Sequence, residues 1–487
     1  MTAGKRFVFV NLSIECGYNS GINHGIAYLT PVVKRYGYDV HCINIRSEIT
    51  EKVFVDEINK LAPSIVAYSL PTQQEVYLSR YSNALDRETG IRQIAGGVGP
   101  TLDPEGILSR SGVAGVCVGE VEIPLDSLLK NIENGCDVLG TEGFFWKSDG
   151  AFKKNPPPQF AADLSANEYP DYSIYRREDV VKEGTLNVIL SRGCPYDCHY
   201  CCNKALSNVY PVSRKYFRLP SVEHSIAVLE SLLQQYPETE FLEFEDDLLI
   251  ARREWFLQFA ELYSDRIKKP YRMCVRVECI KPDIVKALKR SGCMEAYLGL
   301  ESGSERIRKA VLNRNHSNQL LIEKCKMLQE GGIELFTFNI VGLPFESRRE
   351  MEETLELNKV ISPNKGVCTF FYPYKGTELY RICESNGLLL SDEDMAAITN
   401  YNTRPAIKMA NATVEECVDI QRKITAYFAR QSYATGIARV PAGIKKYPLI
   451  MYYRARLFLQ QRPWAKQLVD DFGVRKFAMR WFVSKPR

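Results

Sequence analysis

The 487-residue chain is predicted to be an α/β protein: a doubly wound parallel sheet, then a second βα-repeat unit forming a partial barrel, then a helical region. Three observations lead there. Short apolar runs alternate with amphipathic helical patterns over roughly the first 140 residues, and the alternation restarts near residue 186. Between the two lies a proline-dense stretch, Asn155-Pro156-Pro157-Pro158 and Tyr169-Pro170, which breaks regular structure. Beyond about residue 387 the pattern is helical and increasingly basic. The expected units are therefore 1–140, a linker 141–185, 186–385 and 386–487.

In the first unit, strands are expected at 6–12, 39–45, 64–69, 92–95 and 114–118, with a helix over 26–36 stopped by Gly37. Strands separated by helices imply a parallel sheet, whose ligand crevice lies at the carboxyl ends of its strands. The loops expected there are glycine-rich: Gly96-Gly97-Val98-Gly99-Pro100-Thr101, then Gly119-Glu120. Glycine lets backbone approach a bulky ligand, although any tight βα turn favours it too. A hairpin is expected at 143–152 within the linker. In the second unit, strands are expected at 186–191, 240–245, 271–277, 294–300, 335–341 and 366–371, with long helices between. Six repeats of this spacing point to a partial or full parallel barrel with its site at the carboxyl ends of the strands.

At 45% hydrophobic and 25% charged residues, the composition is that of an ordinary globular chain. No apolar run reaches the ~18 to 20 residues of a membrane span, and the mean hydropathy is −0.22. The first twenty residues lack a small-residue cleavage site and read as a first strand. Neither a transmembrane protein nor a secreted scaffold is expected on these grounds. Charge is uneven. From Arg430 onward, thirteen Lys/Arg stand against two Asp/Glu, a charge of +11, which leaves −7 for the rest of a chain whose net charge is +4. The segment 445–458 interleaves cationic and aromatic residues. It reads either as packing over the barrel mouth or as a peripheral contact with an anionic membrane surface. The fifteen cysteines are an odd number and are scattered, save for one dense cluster at 194–202. That pattern suits a reducing cytoplasm and a metal-binding cluster rather than a disulfide framework.

The cluster is Cys194-x3-Cys198-x2-Cys201, directly after the first expected strand of the second unit, with Cys202 a spare thiol. Three thiolates on one loop can ligate three irons of a [4Fe–4S] cluster and leave the fourth iron open to a substrate or cofactor. A structural zinc site would need a second pair of ligands, and none is present in the sequence.

This spacing, with Tyr200 before the last cysteine, resembles the signature of the radical S-adenosylmethionine (SAM) enzymes. The resemblance covers about 200 residues and continues strand by strand. Phe244-Glu245-Asp246-Asp247 stands where these enzymes hold the SAM amino group. Arg276-Val277-Glu278 and Gly299-Leu300-Glu301-Ser302 end later strands, making Arg276 and Glu278 candidate SAM contacts, with Glu301 and Ser302 matching polar SAM contacts. Phe338-Asn339-Ile340-Val341-Gly342 matches the strand whose backbone meets the adenine, making Ile340 and Gly342 candidate contacts. Tyr374-Lys375-Gly376-Thr377-Glu378-Leu379-Tyr380 is similar to an element common after the sixth strand, with Lys375 a departure from it. The resemblance implies a SAM held at the open iron, its one-electron cleavage to a 5′-deoxyadenosyl radical, and hydrogen abstraction from an unactivated carbon. It also implies an electron donor such as a flavodoxin or ferredoxin.

The first unit resembles the Rossmann-like cobalamin-binding domain that precedes such barrels, with Gly96, Gly97, Gly99, Thr101, Gly119 and Glu120 as its candidate cofactor contacts. The order of units is similar to the anaerobic magnesium-protoporphyrin ester cyclase subgroup, which also contains hopanoid-lipid enzymes and carbon methyltransferases. One departure matters. Corrinoid domains that supply a histidine to cobalt carry Asp-x-His-x-x-Gly; if Gly25 is that glycine, Ser20 and Ile22 occupy the Asp and His positions. His24 is displaced and reads as a loop or capping residue, so cobalamin is expected to lack a protein histidine below cobalt. The resemblance thus implies a cobalamin-dependent radical SAM enzyme, above all a methyltransferase, acting on a small-molecule or lipid-like substrate. Three other readings are weighed: oxidative ring formation with the same cofactors, a tRNA methylthiotransferase using Cys16, Cys42 and Cys117 as extra ligands, and a non-catalytic corrinoid protein. Nucleic acid is not expected as a partner, because the terminal RNA-binding barrel of the methylthiotransferases has no counterpart in the sequence and the tail reads helical.

Overall fold

The computed structural model describes residues 5–14, 21–148, 150–210, 216–398 and 402–438. The basic segment 445–458, Cys16 and Ser20 lie outside the described residues. The first sheet contains β1 (Arg6–Leu12), β2 (Asp39–Ile45), β3 (Ile65–Ser69), β4 (Arg92–Gly96), β5 (Gly115–Cys117), β6 (Phe144–Ser148) and β7 (Ala151–Lys154). Its order is β2-β1-β3-β4-β5-β6-β7, the first five parallel and the hairpin β6–β7 antiparallel on the β5 edge. β1 is an interior strand flanked by β2 and β3, and Phe7 to Leu12 are buried on both faces, which is why Phe7 to Val10 is an unbroken apolar run rather than an alternating one. The order runs outward from β1 in both directions, and that reversal makes the crevice at its carboxyl end.

The second sheet runs β14-β13-β12-β11-β10-β9-β8. Its members are β8 (Val181–Lys182), β9 (Thr185–Val188), β10 (Phe241–Phe244), β11 (Tyr271–Val275), β12 (Cys293–Glu301), β13 (Glu334–Val341) and β14 (Lys365–Phe370). β9 to β14 are parallel and sequential, so the sheet curls as an open half-barrel instead of winding both ways. Its two faces differ. Leu242, Phe244, Met273, Leu298 and Leu335 are fully covered by the flanking helices, whereas their neighbours Glu243, Arg272, Tyr297, Phe336 and Phe338 stay half-buried on the other face. The helix Val414–Ala438 packs against β14 and the helix Arg348–Ile361, burying Cys417, Ile420, Ile424 and Phe428. Among the described residues no helix is long and apolar enough to cross a membrane.

The two sheets meet by their carboxyl ends. His24, just past the loop after β1, reaches Glu245 at the end of β10 (3.0 Å). Tyr28 Oη donates to the Ile189 carbonyl after β9 (3.0 Å). Arg192 reaches Glu122 after β5 (3.3 Å), and Lys375 after β14 reaches Asp103 after β4 (2.8 Å). Each pair joins a loop at the carboxyl end of one sheet to a loop at the carboxyl end of the other, so one crevice serves both units.

Candidate active site

The cysteine loop is fixed at its root. Asp246, 1% exposed, accepts the N–H of Leu190 (2.9 Å) and both the N–H and hydroxyl of Ser191. Burial pushes its carboxyl upward against these donors. The chain then turns through Gly193, at φ +75, where a Cβ would stand 2.6 Å from the Tyr216 ring. Cys198 and Cys201 close a turn by a 3.1 Å backbone bond. Cys198 Sγ accepts from Arg276 Nη1 (3.0 Å) and Cys201 Sγ from Asn203 (3.6 Å). The Cys202 thiol, hydrogen-bonded to Cys201, lowers the Cys201 pKa, while burial pushes Cys194 up to about 12. All cysteines among the described residues are free. Among these residues no three His, Cys, Asp or Glu side chains converge on one ion position. An all-thiol set spread along one loop suits the separate irons of a cluster, not a single zinc.

Around the loop the ends of β11, β12 and β13 supply buried charges. Tyr200 Oη donates to Glu301 Oε1 (2.8 Å), and Arg314 Nη1 donates to both Tyr200 Oη (3.0 Å) and Glu301 (3.2 Å). Glu301 takes φ +67 after a register shift in β12, a strained conformation for a non-glycine residue. Burial raises its carboxyl pKa and the Arg314 guanidinium opposes that rise. Ser302 is fully buried, 3.5 Å from Glu346 Oε1, and Arg308 donates to its carbonyl. Glu346 also accepts the Leu343 N–H (3.1 Å), and burial lifts its carboxyl to about 8. It therefore ties the end of β12 to the turn after β13, where Gly342 sits at φ +75 with a Cβ position 3.0 Å from Cys417 Sγ. Ile340 stands on the half-exposed face of the sheet. Glu278 holds Arg276 through two bonds (2.9 and 3.0 Å), and its carboxyl is kept at about 2 by His316 and Arg276.

On the first unit, the turn after β4 is cramped. A Cβ on Gly97, at φ +103, would stand 3.0 Å from the Leu70 carbonyl oxygen, and one on Gly99 3.1 Å from Thr72 Cα. Gly96 opens the turn. Thr101 Oγ1 closes it, donating to the Gly97 carbonyl (2.8 Å) and accepting the Gly119 N–H (3.1 Å). Gly119, at φ +89, lies against Tyr210 of the second unit, and Tyr210 Oη accepts the Glu120 N–H (2.6 Å). The Glu120 carboxylate pairs with Arg218. His24 is spoken for: its Nδ1 meets Tyr172 Oη (2.6 Å) and its Nε2 meets Glu245. It is a strut between the units, and Ile22, at the position of the missing histidine, is buried. Beside this turn, a cavity of about 400 Å³ opens between Thr72, Gln73 and Glu75 on one unit and Tyr372 and Lys375 on the other. Thr72 Oγ1, Gln73 Nε2 and Glu75 Oε1 in its wall are buried with no hydrogen-bond partner. Unpaired buried polar atoms and a glycine cradle suit a bulky ligand with an amide-rich rim, such as a corrinoid.

The structure brings together the cysteines, Tyr200, Arg276, Glu278, Glu301 and Ser302, and sets the Gly97–Gly99 turn across the same crevice. Glu245 and Asp246 are engaged with His24, Asn187 and the loop root. Arg314, Arg308, His316 and Glu346 were not legible as site residues; only the position of Glu346 just after a Gly-Leu-Pro turn marked it. Cys42 and Cys117 lie on β2 and β5. Four strand spacings, about 19 Å at 4.8 Å each, separate them, and they share no site.

Residues 188–357 match the Radical SAM superfamily and residues 12–129 match the B12 binding domain. The chain is 26% identical over 408 residues to an uncharacterized methyltransferase of Pyrococcus horikoshii, covering 82% of this chain and 86% of the relative. It is 23% identical over 375 residues to the anaerobic magnesium-protoporphyrin IX monomethyl ester cyclase of Cereibacter sphaeroides, covering 73% of this chain and 59% of that one. Its fold matches the cobalamin-dependent SAM radical enzyme OxsB with a TM-score of 0.70 at 16% identity, over 98% of this chain and 76% of that one. With a B12-binding sheet facing a radical SAM half-barrel across one crevice, the chain belongs to the cobalamin-dependent radical SAM enzymes.

Proposed function

We propose that the chain transfers a methyl group from SAM, by way of cobalamin, to an unactivated carbon of a small molecule, lipid-like substrates included. The observation that supports this is the apposition of the two carboxyl edges, with the glycine turn after β4 and the cysteine loop at one crevice. Bound there, the cluster and SAM would supply a carbon-centred radical and the corrinoid a methyl group. In this reading Cys194, Cys198 and Cys201 hold the cluster in the unit 186–385. Tyr200, Glu301, Ser302, Ile340 and Gly342 line the SAM pocket, and Glu245, Asp246, Arg276 and Glu278 frame it. Gly96, Gly97, Gly99, Thr101 and Gly119 cradle the corrinoid in the unit 1–140, and Glu120 clamps that unit to the barrel. His24, engaged by Tyr172 and Glu245, would not be free to ligate a corrinoid held there. The half-barrel walls exclude water from the radical. Electrons would come from a flavodoxin or ferredoxin in a reducing cytoplasm.

Reconstituted, reductively activated protein given methyl-labelled SAM tests this. Methyl transfer predicts S-adenosylhomocysteine equal to the bound corrinoid even before substrate is found. None, with cluster and corrinoid both retained, would overturn methyl transfer and favour ring-forming chemistry.

A further inference from the structure

The sequence resemblance places Arg276 and Glu278 among the SAM contacts, but the geometry gives Arg276 other work. Its guanidinium is committed in every direction. Nε and Nη2 donate to Glu278 (2.9 and 3.0 Å), Nη1 donates to Cys198 Sγ (3.0 Å), and the group lies over the Tyr196 ring at 3.8 Å from its centroid. Arg276 is 7% exposed. Behind Glu278 stands His316, whose side chain is fully buried, 3.6 Å from the carboxylate. Tyr196 is itself held, its Oη 3.4 Å from Cys279 Sγ. A cation fixed on three sides is pointed at one ligating sulfur of the cluster. The other arginine nearby, Arg314, is paired with Glu301 and Tyr200.

We propose that Arg276 is a tuning residue for the [4Fe–4S] cluster. Its fixed positive charge on Cys198 raises the cluster's reduction potential, and Glu278 sets how much of that charge the cluster feels. Reduction adds one electron, and so one negative charge, to the cluster; the electron comes from a low-potential one-electron donor. A cation and a hydrogen bond at a cluster sulfur favour the more negative state. Glu278 cancels part of this, so Arg276 and Glu278 act with opposite sign. The inference rests on the cluster reading, and iron and sulfide content of the wild-type chain tests that reading separately.

The experiment is a dithionite-poised redox titration of the reconstituted cluster, read by electron paramagnetic resonance without SAM. Arg276→Gln should lower the reduced-to-oxidised ratio at a fixed potential about tenfold, equivalent to about 59 mV for one electron. Arg276→Lys should fall between that and wild type. Glu278→Gln should move the midpoint the opposite way, to less negative potential. A merely structural role would disturb both variants in the same direction. Wild-type midpoints in iron-replete Arg276→Gln and Glu278→Gln, or shifts of the same sign, would overturn the proposal. If Arg276→Gln fails to hold iron, the sign of the Glu278→Gln shift decides alone.

Discussion

Truncating Glu120 to alanine should loosen the joint between the two units more than any surface change. Its carboxylate meets Arg218, whose side chain is 5% exposed, lies 4.2 Å from the Phe160 ring centroid and also donates to the carbonyls of Ala161 and Tyr216. Arg218 thus joins the first sheet, the connecting segment and the barrel. Removing one partner of a buried pair strands the other charge, at a cost of about 3–5 kcal/mol. The two carbonyls still accept from Arg218, which places Glu120→Ala near the lower end, about 3 kcal/mol. Against a native stability of roughly 5–15 kcal/mol, that is a large loss. Removing both charges in Glu120→Ala/Arg218→Met should recover most of it, because an apolar replacement of a buried ion pair is often neutral. Urea unfolding followed by both fluorescence and circular dichroism measures the cycle and reports whether the units still unfold together. A single variant costing under about 1 kcal/mol, or a double variant as costly as the sum of the singles, would refute the reasoning.

Three further outcomes are expected. Gly99→Ala places a methyl group 3.1 Å from Thr72 Cα, with backbone on that side unable to yield; overpacking of about 1–3 kcal/mol should lower corrinoid retention, measured by absorbance after gel filtration, while iron content stays unchanged. Cys198→Ala should abolish iron incorporation on reconstitution, whereas Cys202→Ala should leave it intact, since Cys202 is not part of the ligand spacing. Burial lifts the Glu75 carboxyl from 4.5 to about 7, so the native state holds a proton that the unfolded chain releases. Stability is then fully present below about pH 4.5, falls as pH rises through about 7, and changes by up to about 3 kcal/mol. Glu75→Gln should flatten that slope in thermal-shift curves taken across the window.

The strands were readable because they are short runs bounded by turn residues: β1 and β2 occur where the pattern puts them, and β9 to β14 each lie within a few residues of the expected run, whereas the two-residue β8 was too short to leave a pattern. The cysteine loop was readable because its ligands are adjacent in sequence. What joins the units was not. His24 and Glu245, or Asp103 and Lys375, are hundreds of residues apart, and each looks like an ordinary loop charge until the fold pairs them. For the same reason Glu120 and Arg276 read as cofactor contacts, though their charged ends face Arg218 and Cys198. Arg308 and Arg314 stayed hidden because nothing local distinguishes a buried charge from a solvated one.

The most direct test of the account is to measure iron and corrinoid in the same anaerobically reconstituted chain, with the cob(II)alamin spectrum recorded alongside. The account predicts about four irons and one corrinoid per chain, with no protein nitrogen coupled to cobalt. Four irons without corrinoid would contradict the shared crevice, and nitrogen coupling that disappears in His24→Phe would contradict the strut assigned to His24.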